Sequence, residues 1–110
     1  MKPSMVFVSR QLKRYLDATE KDHKHYRWIM EMRRILFENM YSGEKIRRDR
    51  IPKHYRNNYH VRNLFRYAHP EGYRSCYTVM HFEGLGYCPV ILDLVNHKEY
   101  DRIFGYGSLL

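Results

Sequence analysis

The sequence predicts an α+β fold, an N-terminal helical hairpin packed on a small antiparallel β-sheet with a short C-terminal helix. Three observations carry this. Apolar residues recur at helical spacing in the first 40 positions and at strand-like spacing after position 60, and no strand–helix–strand repeat links the two regions. Turn-forming Pro and Gly residues divide the second region into segments of strand length. The 110 residues, 44% of them hydrophobic, suit one folded domain spanning 1–110 and exclude a disordered chain.

Met5 to Val8 reads as a short first strand. Ser9 is a candidate N-cap for a helix carrying Leu12, Tyr15 and Leu16 at helical spacing. A break follows between Asp17 and Glu20, where Thr19 and Asp22 have the spacing of a capping box. The second helix is the strongest signal. Tyr26, Ile29, Met30, Leu36, Phe37 and Met40 form its apolar stripe, interrupted by Arg33 and widened by Trp28 and Met32, with Gly43 as its stop. Glu44 to His60 loses periodicity, and Ile51-Pro52 disfavours helix at Ile51, so a basic loop is expected with room for one helical turn after Pro52. Strands are expected over Val61 to Tyr67, Tyr73 to Phe82 and Tyr87 to Val95, with turns at Ala68 to Gly72 and Glu83 to Gly86. Asn96 can cap a final helix that starts at His97 and ends at Gly105.

Charge narrows the function. Twenty Lys and Arg against 12 Asp and Glu give a net charge of +8, which for a small domain points to a polyanion such as nucleic acid. The excess is concentrated. Lys45, Arg47, Arg48, Arg50, Lys53, Arg56, Arg62 and Arg66 are opposed within that stretch by Asp49 alone, which favours a binding surface over a merely solvated one. Tyr55, Tyr59, Tyr67 and Tyr73 lie in or beside it and could stack on bases, although Tyr also serves as an ordinary strand residue.

Other classes are disfavoured. Two cysteines, Cys76 and Cys88, are too few for a disulfide scaffold, and a hairpin register in which paired numbers sum to about 169 sets Cys76 opposite Asp93 and Cys88 opposite His81. Met1 to Arg10 lacks a signal-peptide pattern and no apolar run is long enough to span a bilayer, so a cytoplasmic protein with reduced thiols and no membrane partner is expected. The seven His residues show no metal-ligand spacing, no glycine-rich phosphate loop follows a strand, and Ser9, Ser42 and Ser75 lack a nucleophile-elbow context. No metal or cofactor is therefore expected. Arg, Lys, His and Tyr near strand ends suffice for metal-free RNA cleavage: an acid and a base move the protons, and cations hold the phosphate oxygens.

From Gly43 onward the chain resembles the RelE/ParE-type toxin superfamily, in particular an archaeal branch of RelE-like mRNA interferases. The segments that carry the resemblance are Ile51-Pro52-Lys53-His54-Tyr55-Arg56, Asn63-Leu64-Phe65-Arg66-Tyr67, Glu71-Gly72-Tyr73-Arg74-Ser75-Cys76-Tyr77-Thr78, and Val90-Ile91-Leu92-Asp93 followed by His97-Lys98-Glu99-Tyr100-Asp101-Arg102-Ile103-Phe104-Gly105-Tyr106. The resemblance implies the toxin of a type II toxin–antitoxin system. Such a protein is a metal-independent endoribonuclease that cleaves ribosome-bound mRNA and is restrained by a cognate antitoxin. By position, Arg74 matches the arginine on the scissile phosphate, and His97 or Tyr100 the general acid or base. Lys98 falls where an Arg is common, and Arg66 lies near a basic position of the preceding strand. Lys53, Arg56, Arg62 and Arg66 are the implied RNA-binding set. The family's paired lysines on the preceding strand are absent here. Two alternatives stay open, a catalytically inactive basic protein that binds RNA or a partner, and a ParE-like topoisomerase inhibitor.

Overall fold

Alternation along the longest strand sets the architecture. Successive side chains of a strand point to opposite faces, and in β4 (Arg74–Phe82) each face has its own core. Tyr77 and Val79 pack with Phe65, Ile91 and the helical residues Leu12, Leu16, Ile29, Met32 and Leu36. Cys76 packs on the other side with Tyr55, Leu64, Leu92, Val95 and Tyr100. Burial on both faces explains why Ser75 to Val79 form an unbroken buried run instead of alternating with exposed residues.

The structure, a computed structural model, describes residues 1–105; Tyr106 lies outside them. The fold is α+β, in the order β1 (Phe7–Val8), α1 (Arg10–Asp17), α2 (Lys24–Glu38), β2 (Glu44–Lys45), α3 (Lys53–Tyr59), β3 (Phe65–Ala68), β4, β5 (Gly86–Ile91) and α4 (His97–Phe104). The sheet order is β1-β5-β4-β3-β2. All pairs are antiparallel except β1 with β5, which is parallel, so the sheet is mixed where a wholly antiparallel one was expected.

Several elements form as the sequence predicts. The Ser9 hydroxyl accepts from Leu12 N–H and caps α1. Asn96 and Glu99 form a reciprocal capping box at α4, and Gly105, at φ 78°, ends it. The interruption at Arg33 is explained by reach, because its guanidinium donates to the Val6 carbonyl beside edge strand β1.

Other elements differ. Thr19 donates to the Tyr15 carbonyl at the end of α1, and His23 caps α2, so the Thr19–Asp22 capping box does not form. Helix α2 ends at Glu38, and Phe37 turns to solvent. Gly43 is not its stop. A Cβ there would lie 2.7 Å from Tyr77 Cε1 and 2.8 Å from the Arg66 carbonyl, so glycine is required by close approach. Residues 44–60 are more ordered than a loop, because Ile46, Ile51 and Tyr55 are buried and anchor β2 and α3. Strand β3 starts at Phe65 because Asn63 is occupied in side-chain bonds with Thr78 and Val79. Strand β5 stops at Ile91, and the β4–β5 register sums to 168, pairing Cys88 with Met80. The turn is centred on Gly84 (φ 81°), half a position from the expected centre, which shifts each pairing by one residue. Both thiols are free and buried.

Two internal groups oppose each other in pH dependence. Asp93 accepts from Cys76 N–H (2.9 Å) and Tyr55 O–H (2.7 Å), yet burial pushes its carboxyl up to about 6. Its neutral form is favoured in the fold, so its contribution is full below the unfolded value of 3.8 and is lost as pH rises through about 6. Burial pushes His69, beside the Ser75 hydroxyl at 2.8 Å, down to about 4 from 6.5. Its contribution is full above 6.5 and is lost as pH falls towards about 4.

Urea unfolding at a series of pH values between these limits should therefore show opposite trends for two variants. As pH falls, the stability deficit of Asp93→Asn relative to the parent should grow and that of His69→Gln should shrink, each by on the order of 1–3 kcal/mol. Parallel pH profiles for both variants would contradict these assignments. Gly43→Ala should cost about 1–3 kcal/mol in the same assay, because the methyl group must displace the buried Tyr77 ring or the backbone.

Candidate active site

The β3–β4 register brings two arginines to one face. Arg66 pairs with Cys76 and Ala68 with Arg74, so Arg66 and Arg74 are diagonal neighbours on the face that carries Cys76. The chain then returns to this spot. Beyond β5, Val95 exchanges both backbone bonds with Arg74, at 2.8 and 2.9 Å, and α4 begins two residues later. The first turns of α4 are thereby fixed over the arginines. Gly72, at φ 77°, allows this approach, since a Cβ there would lie 3.3 Å from His97 Cβ.

The result is a cleft of about 720 Å³ whose lining includes Glu44, Arg66, Arg74, His97, Tyr100 and Asp101. The Tyr100 ring is buried and stacks on Phe104 at 4.3 Å. The guanidinium carbons of Arg74 and Arg66 lie 5.2 and 5.8 Å from its centroid, within cation–π range. The Tyr100 hydroxyl accepts from Arg66 Nη1 at 2.5 Å. Arg66 also donates to Glu44 Oε1 at 2.6 Å. That hydrogen bond raises the Arg66 pKa and holds the Glu44 carboxyl below its usual range. Arg74 donates to the Gly72 carbonyl at 2.8 Å and has no carboxylate partner among the described residues. Glu71 is engaged by Lys24 instead. His97 Nε2 lies 3.1 Å from Asp101 Oδ2, one turn on. With the ring's Nε2–H donating to Asp101, Nδ1 is left as a proton acceptor.

Chemically, the cleft offers two cations to a phosphate, an imidazole oriented by a carboxylate and a phenol beside a guanidinium. Among the described residues, no three His, Cys, Asp or Glu side chains form a group that could hold a metal ion.

Four of the residues singled out in the sequence, Arg66, Arg74, His97 and Tyr100, line this cleft. Lys98 does not. It is exposed, and adjacent residues of a helix point about 100° apart. Lys53 and Arg56 are on the exposed side of α3, opposite the buried Tyr55, and Arg56 ties down the Arg48 carbonyl at 2.7 Å. Arg62 is exposed in the segment before β3 and also lies outside the lining. Tyr55 and Tyr59 stack within the second core, 6.0 Å apart, so these rings serve packing, whereas Tyr67 packs on His69 and also lines the cleft. Two residues enter that were not singled out. Asp101 was legible as the acid four positions after His97. Glu44 was not, because a two-residue strand leaves no pattern.

No family model, curated protein or solved structure matches the chain. The chemistry of the cleft stands on its own geometry.

Glu44 occupies Arg66 as an anion would. A phosphate would compete with Glu44 for Arg66, so Glu44→Gln should raise the affinity of the cleft for a phosphate-bearing probe, a 2′-O-methyl oligonucleotide, roughly 3- to 10-fold, measured by fluorescence anisotropy. Weaker binding would mean instead that Glu44 is needed to orient Arg66.

Proposed function

We propose that this protein is a metal-independent endoribonuclease of the toxin type that cleaves ribosome-bound mRNA. The observation that carries this reading is the convergence of Arg74, free of any carboxylate among the described residues, with Arg66, His97 and Tyr100 in one cleft. The RNA 2′-hydroxyl attacks the adjacent phosphorus and the 5′ oxygen leaves, giving a 2′,3′-cyclic phosphate and a 5′-hydroxyl. His97 Nδ1 takes the 2′ proton, and Asp101 supports the imidazolium that forms. Tyr100 gives its phenolic proton to the departing oxygen, while Arg66 stabilises the resulting phenolate. Arg74 holds the non-bridging oxygens through its planar fork. The resemblance of the C-terminal half to RelE-type toxins supports mRNA on the ribosome as substrate, a cognate antitoxin as inhibitor and the cytoplasm as the site of action. Among the described residues no helix is long and apolar enough to cross a membrane.

One observation favours a second reading, an RNA-binding protein that does not cut. Arg66 is already paired with Glu44, and the His97 side chain is 66% exposed rather than enclosed by the cleft.

Cleavage of mRNA on programmed ribosomes in EDTA separates the two. The parent protein should cut and Arg74→Ala should cut about 10²- to 10³-fold more slowly, as for loss of one donor to a developing oxyanion. Intact mRNA with both proteins, on ribosomes that a known toxin does cut, would favour the binding reading.

A further inference from the structure

Beside the first cleft lies a second, of about 380 Å³, that the proposed chemistry does not use. Its lining includes four cations, Lys45, Arg47, Arg50 and Arg66, together with Glu44 and Phe104. Arg66 and Glu44 line both clefts, so the two join into one groove that passes over edge strand β2. The backbone that carries the exposed Lys45, Arg47 and Arg50 is held in place by the fold. Ile46 and Ile51 are buried on either side of them, Ile46 N–H bonds to the Leu64 carbonyl at 2.9 Å, and Arg50 N–H closes a tight turn onto the Arg47 carbonyl at 2.9 Å. Arg56, from α3, braces the same turn through the Arg48 carbonyl. Asp49 pairs with Arg47 at 2.9 Å on the exposed side.

We infer that the second cleft is a subsite for the phosphodiester backbone of nucleotides flanking the cleavage site, so that a single RNA strand runs from Arg74 past Arg66 to Arg47 and Arg50. This rests on the endoribonuclease reading for the position of the cut, but not for binding. A row of separate cations along a groove matches phosphates repeated along a strand. A compact phosphate of a free nucleotide would be met by converging backbone N–H groups, and the groove has no glycine-rich loop to supply them. In the unbound protein Glu44 sits at the junction and holds Arg66. The strand's phosphate takes its place there.

The inference is tested by fluorescence anisotropy in EDTA with the full chain and 2′-O-methyl RNAs, which keep their phosphates but lack the attacking hydroxyl. A trinucleotide reaches only the first cleft, and an octanucleotide reaches both. Arg47→Gln/Arg50→Gln should weaken octanucleotide binding roughly 10-fold or more, leave the trinucleotide unchanged, and lower the slope of log affinity against log salt by about 1–2, as expected for losing one or two phosphate contacts. Lys45→Gln, an independent exposed change, should act in the same direction. Unchanged octanucleotide affinity, or equal losses for both lengths, would overturn the subsite. The two readings fail separately. A parent protein that never cuts but keeps the length-dependent loss retains the subsite and loses the nuclease. One that cuts while the double variant binds normally does the reverse.

Discussion

The backbone pair between Arg74 and Val95 joins the two ends of the functional region. It is an isolated bridge beyond the end of β5, yet both of its hydrogen bonds form. It stops the chain from drifting off the sheet after Ile91 and sets the point from which α4 starts. From there Asn96 and Glu99 fix the helix start, and Tyr100, one turn in, falls onto the face where the register has placed Arg66 and Arg74. The bridge acts together with the burial of Tyr100 in the second core to hold the imidazole and phenol over the arginines.

Tyr100 belongs both to the core and to the cleft. Its ring is buried with Tyr55, Leu64 and Phe104, while its hydroxyl meets Arg66. Burial removes the ring's freedom, so the phenol is held in position before any substrate arrives, which is the condition for useful proton transfer. The surrounding charges are set differently. Glu44 sits on an exposed two-residue edge strand, where an ion pair is weak and a competing phosphate can displace it. The cleft thus combines a fixed phenol with a replaceable counter-ion.

Much of this was legible in the sequence, for identifiable reasons. Helix α2 and the final helix follow from periodicity and caps, and four of the cations concentrated between Lys45 and Arg66 line the second cleft. Arg74, His97 and Tyr100, singled out through residue type and the resemblance of the segments around them, line one cleft. What was not legible depends on tertiary contact. Segment 44–60 looks like a loop because its anchors, Ile46, Ile51 and Tyr55, are spaced for no regular element, and only the second face of the sheet explains their burial. Gly43 reads as a helix stop, but its smallness serves Tyr77, 34 residues later. The β4–β5 register was one position out because the turn has an odd number of residues. Which cations line the groove depends on the tight turn at Arg48–Arg50, which places the exposed Arg47 and Arg50 along it and leaves Lys53, Arg56 and Arg62 outside it.

In the proposed reaction the Tyr100 hydroxyl acts as a proton donor while its ring acts as core. Tyr100→Phe keeps the ring and removes only that hydroxyl, and the measurement is the single-turnover rate of mRNA cleavage on the ribosome, with thermal unfolding recorded alongside. The variant should lose about 10²-fold or more in rate while its melting temperature stays within about 5 °C of the parent's. An unchanged rate with an unchanged melting temperature would contradict that role and reduce Tyr100 to a packing residue.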